Sequence, residues 1–175
     1  MPDPALSAAL AEAYASAPQS AVILHTLEFR HSSFSPPIRV VLDHADHMLT
    51  LEASAPVDAS TSVNFAAFAF SFTLPEVTDK GNPEIIIAID NVSAEIIGYI
   101  DAAAQTANPI QVTYRPYLAS DTSAPQMNPP LTLTVREIDA DVMQIRARAG
   151  FPNLGSRKFP NETYTSERFP GLIAT

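Results

Sequence analysis

"SAVILHTLEFRH", residues 20–31, decides the fold class. Val22, Leu24, Thr26 and Glu28 alternate with Ile23, His25, Leu27 and Phe29, and the run opens on β-branched residues. A period of two with that enrichment predicts a strand. On its N-terminal side, Asp3-Pro4 is a helix-start signal, a capping carboxylate followed by proline at the first helical position. Leu6, Leu10, Ala13, Tyr14 and Ala17 recur at helical spacing before Pro18. This predicts a helix over about residues 4–16.

Beyond the opening stretch, "SPPIRVVLD" (35–43) and "HMLTLEAS" (47–54) read as two strands joined by a turn at "DHADH" (43–47). "SVNFAAFAFSF" (62–72) is apolar on both faces, which marks a strand buried on two sides or an assembly surface. "EVTDKGNPE" is turn-rich, and "EIIIAID" (84–90) is a short buried strand. Asn91 or Ser93 caps a second predicted helix, whose apolar stripe is Ile96, Ile97, Ile100 and Ala103/Ala104. "IQVTYRPYLAS", "LTLTVREIDAD" and "MQIRARAG" complete about eight strands, the last two joined by a hairpin turn at 139–141. The expected fold is mainly β (α+β): an antiparallel sandwich or partly closed barrel with one or two flanking helices. The pattern breaks up after Gly150, so the expected organisation is a body over 1–150 and an extended C-terminal arm over 151–175.

The totals agree with a folded body. Of 175 residues, 46% are apolar and 17% charged, enough to bury a core. A net charge of −9 argues against general nucleic-acid binding, which needs clustered Lys and Arg. The charge is uneven: residues 1–109 carry 3 basic and 13 acidic side chains, whereas 110–175 carry 7 and 6. Such polarity suits head-to-tail contact between copies. No cysteine is present, which excludes disulfides and thiolate metal sites. The start, "MPDPALSAALAEAY", lacks a basic n-region, so no signal peptide is expected there, and no apolar run approaches the ~20 residues of a membrane span. With 16 Pro against 5 Gly, the loops are stiff.

Chemistry is sparse. Asp43, His44, Asp46 and His47 offer four N or O donors, but neighbours on a turn diverge, and a solvated turn is the expected reading over a zinc or manganese site. No serine sits in a Gly-x-Ser-x-Gly elbow. Glu137 and Asp139 share a strand face, yet a glycosidase cleft wants aromatic walls and the chain has no Trp. No phosphate-cradling glycine loop occurs. No enzyme, cofactor or metal is expected.

Two segments look made for contact. Tyr114, Arg115 and Tyr117 close one strand ahead of a polar, proline-rich loop; they are either rings on the rim of the core or a contact surface, since Tyr and Arg are enriched at interface centres. The arm "RKFPNETYTSERFPGL" (157–172) holds Arg157, Phe159, Pro160, Tyr164, Arg168, Phe169 and Pro170. It is too short for its own core. Its rings either fold back on the body or dock on a neighbouring chain, and proline lowers the entropy lost on docking.

"YRPYLASDTSAPQMNPPLTLTV" and "RARAGFPNLGSRKFPNETYTSERFPGL" resemble the C-terminal half of an uncharacterised-domain family of minor tail, or tail-tip, proteins of tailed bacteriophages and prophages. Tyr117-Leu118, Asp121, Pro125-Gln126, Pro129-Pro130-Leu131 and the closing Phe159-Pro160, Tyr164 and Arg168-Phe169-Pro170-Gly171-Leu172 carry the resemblance, and the helix and "VILHTLEFRH" strand extend it. It implies a structural protein in a ring of its own copies, a hexamer by family analogy, joining the tail tube to the hub. Its location would be the virion tail, and the host cytoplasm before assembly, with acidic surface toward a DNA channel, no specific nucleic-acid binding and no membrane insertion. The alternatives are a receptor- or carbohydrate-binding tail module and a metal-dependent hydrolase built on "DHADH".

Overall fold

The predicted strand at 22–29 is β1 (Ile23–Arg30), and it pairs antiparallel along its whole length with β7 (Gln111–Leu118), from Ile23 opposite Leu118 to Arg30 opposite Gln111. The computed structural model describes residues 8, 10, 12, 22–73, 84–90, 94–141 and 144–151. Between β1 and β7 come β2 (Ile38–Val41), β3 (His47–Thr50), β4 (Ser62–Ala67), β5 (Phe70–Thr73), β6 (Glu84–Asp90) and the helix α1 (Ala94–Ala104). β8 (Leu131–Ala140) and β9 (Gln144–Gly150) follow. The fold is mainly β, and the described residues form an open nine-stranded sheet in the order β3-β4-β2-β1-β7-β8-β9-β6-β5.

The sheet rolls up. β4 lies near one end of the order and β5 forms the other end, yet two residues separate them. Three Cα steps span at most about 11 Å, so the two ends must approach each other. Side chains agree: the Phe72 ring of β5 lies 5.3 Å from His25 on β1 and 5.1 Å from Tyr114 on β7, centroid to centroid.

Three expectations change. "SVNFAAFAFSF" is two strands, broken at Phe68-Ala69 where the chain leaves one end of the sheet for the other. "DHADH" is no hairpin tip, because β2 and β3 do not pair; β2 pairs β1 and runs parallel to β4, while β3 pairs β4. That parallel pair makes the sheet mixed. The β8–β9 hairpin is present, with Ala140 opposite Ile145.

Period-two alternation sends each face of β1 and β7 into a different core. Leu27, Tyr114 and Val112 enter a large cluster with Ile85, Ile87, Ile89, Leu133 and Ala147. Leu24 and Tyr117 enter a second with Val41, Leu49, Leu51 and Phe65. α1 closes a third, in which Ala103 meets Phe34 and Ile110, with Tyr99 against Phe34. The caps expected at Asn91 and Ser93 lie outside the described residues. So does most of the predicted N-terminal helix, although residues 8, 10 and 12 are helical and Leu10 is buried.

Candidate functional site

Tyr114, Arg115 and Tyr117 sit at the centre of the molecule. They are 2%, 0% and 0% exposed. The contact-surface reading of these three is thereby corrected: β7 is covered on both faces, so its rings and its arginine serve the chain's own interior. Tyr117 donates from its hydroxyl to the Thr50 carbonyl at 2.9 Å, and burial raises its phenol above the ordinary value. Tyr114 Oη lies 2.8 Å from His25 Nδ1.

Arg115 organises a network that the sequence reading missed. It forks onto Glu52, Nε to Oε2 at 2.7 Å and Nη2 to Oε1 at 2.9 Å. Its Nη1 lies 3.3 Å from Glu28 Oε1, and Arg30 Nε approaches the same oxygen at 3.3 Å. Neither approach is aligned as a hydrogen bond, so these three buried atoms meet by charge alone. Glu28 Oε2 accepts from Arg39 Nε at 2.8 Å, and Arg39 Nη2 donates to Asp58 at 2.7 Å. Three arginines thus face three carboxylates.

The placement follows from register. Glu28 is directly opposite Arg39 on β2 and diagonal to Arg115 on β7. Glu52 and Asp58 come from the β3–β4 connection, which this network pins over the sheet. Asp58 and Ser60 hold left-handed backbone there (φ 55° each), a conformation that Asp tolerates better than most side chains. Burial opposes the charge on Arg115, but Glu52 and Glu28 outweigh it and raise its pKa. The guanidinium is held between carboxylates of its own chain, by two hydrogen bonds to Glu52 and by charge to Glu28. Chemically this is a clamp.

The "DHADH" side chains also hold structure. Asp43 accepts from the His44 backbone at 2.7 Å and pairs with His47 Nε2 at 2.6 Å. Asp46 accepts from the Ala67 backbone N–H at 2.8 Å, steadying the end of β4. Among the described residues no group of three or more metal donors gathers. Glu137 and Asp139 stand across from Arg148 and Arg146 on β9, and Glu137 approaches Arg148 at 3.4 Å with both exposed.

One concave feature of the surface is a groove of about 260 Å³ between α1 and β8, walled by Ile100, Ala103, Ala104, Pro109, Arg136 and Glu137. It adjoins an apolar cavity of about 40 Å³, with Ile100, Ile110, Val135 and Ile138 common to both. β8 carries a register shift between Val135 and Glu137. The bulged Arg136 crosses to Glu84 (Nη1 to Oε1, 2.8 Å) and to the Phe151 carbonyl (Nη2, 2.9 Å). The arm residues Arg157, Phe159, Pro160, Tyr164, Arg168, Phe169 and Pro170 lie outside the described residues.

No curated protein is significantly similar in sequence. The family model described as a domain of unknown function, DUF1833, matches residues 9–164, and the chain belongs to that family.

Proposed function

We propose that the protein is a structural, non-enzymatic component of a bacteriophage or prophage tail tip, working as a ring of its own copies between the tail tube and the hub. The ring is a hexamer, built in the host cytoplasm and carried in the virion tail, and its contacts are made in part by the 157–172 arm. The observation that supports assembly is the distribution of apolar surface. Met48 is 57% exposed on the edge strand β3, and Ile86 is 51% exposed on β6, beside the edge strand β5. Open sheet edges with large apolar side chains beside them favour pairing with another chain. Meanwhile Arg30, Arg39 and Arg115 are spent on internal carboxylates.

The test is native mass spectrometry of the purified full chain, together with immunogold labelling of phage tails from a lysogen that encodes it. A discrete ring mass and label at the distal tail end are expected. A monomer at every concentration, with tails that lack the protein, overturns the reading.

A further inference from the structure

β5 is held in the rolled sheet differently on its two sides. Its backbone pairs with β6 from Phe70 opposite Ile89 to Thr73 opposite Ile86, and among the described residues with no other strand. On the far side it meets β1 and β7 through rings. Phe72 stands edge-on to His25 of β1 at 5.3 Å and tilted against Tyr114 of β7 at 5.1 Å, with Phe70 behind it at 6.0 Å. Upstream, the Phe68 N–H donates to the Val41 carbonyl at 2.9 Å, so the chain is fixed just before β5 begins. The seam between the two ends of the sheet is therefore closed here by side chains, and one of them is a histidine.

From the described elements around it, the imidazole faces Phe72 of β5, Tyr114 and Pro116 of β7, and Leu42 at the end of β2, whose N–H donates to the His25 carbonyl at 2.9 Å. Of these four only Tyr114 titrates, and none is charged at neutral pH. A neutral ring is served by the hydrogen bond between Nδ1 and the Tyr114 hydroxyl, 2.8 Å. An imidazolium has two N–H donors and a full charge. The Tyr114 oxygen can accept from Nδ1, but the other three side chains offer Nε2 no acceptor, and burial opposes the charge. Water must then reach the ring, and Phe72 is the neighbour that no backbone ladder holds on that side. We propose that the seam is an acid-operated gate: protonation of His25 displaces Phe72 and releases β5 from β1 and β7, while the β1–β7 and β8–β9 ladders stay closed. Without that packing the short β5–β6 ladder frays, because a strand paired on one side alone is marginal. The gate works within a single chain and does not depend on assembly.

Native-state hydrogen exchange of the full chain at pH 7.5 and 5.5, corrected for the intrinsic rate of each amide, tests it. A closed seam that excludes the proton and an open one that accepts it at the ordinary value of 6.5 make the opening constant rise about tenfold across that interval. The ladder amides of β5 should show that rise, while those of β1 and β7 change by less than about twofold. His25→Gln and His25→Phe are neutral at both pH values, so in either variant that folds the rise should vanish. An NMR titration of the parent needs no variant: the His25 imidazole should titrate below 6.5, and the Phe72 ring resonances should move at the same midpoint. No rise in β5, an equal rise in β1 and β7, or a rise that survives the replacements overturns the gate. So does an imidazole that titrates while the Phe72 ring stays where it was.

Discussion

Arg115 and Glu52 are joined by two parallel hydrogen bonds of 2.7 and 2.9 Å, although they belong to a central strand and to a distant loop. The pair fastens the β3–β4 connection across the sheet, and Glu28 behind it shares the same guanidinium. Planar two-point recognition of this kind is specific to arginine. Holding charge here costs desolvation, so each charge in the network depends on keeping its opposite partner.

Removing one partner should therefore be much worse than replacing the set. Arg115→Ala leaves Glu28 and Glu52 facing each other without their shared cation, and a loss of about 3–5 kcal/mol is expected in urea unfolding. Arg115→Lys keeps the charge but not the fork, and should recover only part of that loss. An Arg115→Ala chain as stable as its parent would show that the network contributes nothing.

Acid should open the same clamp. Burial on its own would raise the Glu52 carboxyl, but the Arg115 hydrogen bonds and the nearby charges of Arg115 and Arg30 hold it below its ordinary value. A depressed carboxylate adds stability that is present above its unfolded value, near 4.5, and is lost as pH falls through the folded one. Unfolding free energy measured from neutral pH down to about pH 3 should fall in that window. Glu52→Gln should start lower and fall less steeply.

Strands were legible in the sequence because alternation and β-branching are local signals; partners were not, because pairing is decided by burial of residues far apart. "SVNFAAFAFSF" is the clearest case. Continuous apolarity predicts a single buried strand, but the break at Phe68-Ala69 exists only because the rolled sheet needs the chain to cross between its two ends. "TYRPY" misled for the opposite reason. Tyr and Arg look like surface anchors until β5 covers Tyr114 on one face and the β3–β4 connection covers Arg115 and Tyr117 on the other. Glu28 between apolar neighbours on β1 and Arg39 within "IRVV" were the available signals for a buried ion network, since charge in a two-face buried strand must find a partner.

His25 gives a second pH window, separate from that of Glu52. Burial lowers its pKa, with the ring stacked on Tyr114, edge-on to Phe72 and bonded to the Tyr114 hydroxyl. The folded chain refuses a proton that the unfolded chain accepts, so stability is complete above the ordinary value of 6.5 and declines as pH drops below it. Melting temperature should fall as pH drops from about 6.5 to 5.5, ahead of the carboxylate range. His25→Gln should remove that first step; a parent with no step there refutes the assignment.

Tyr117→Phe isolates one hydrogen bond. The hydroxyl is all that is lost, and the ring keeps its place beside Phe65, 6.4 Å between centroids. What remains is a Thr50 carbonyl without its donor at the end of β3, where the Thr50 N–H is held by the Thr122 carbonyl at 3.1 Å. The expected cost is about 1–3 kcal/mol. Hydrogen exchange should quicken at Thr50 while β8 and β9 keep their protection. Equal acceleration across both regions would mean that Tyr117 supports the whole fold and not the β3 end.

Gly150→Ala separates the stability of the body from the anchoring of its C-terminal exit. A Cβ at Gly150 would meet the Arg136 guanidinium at 3.0 Å from Cζ and 3.1 Å from Nη2. That group is the tip of a flexible side chain, so it swings away, giving up Glu84 and the Phe151 carbonyl. Both members of the ion pair are partly exposed, and such pairs contribute less than about 1 kcal/mol. Melting temperature should therefore barely change, while chymotrypsin cleaves after Leu154 faster because the peptide leading to it has lost its anchor at Phe151. Arg136→Gln should reproduce that cleavage pattern. If Gly150→Ala instead lowers the melting temperature by much more than about 4 °C, the guanidinium did not move aside and the strand itself was displaced.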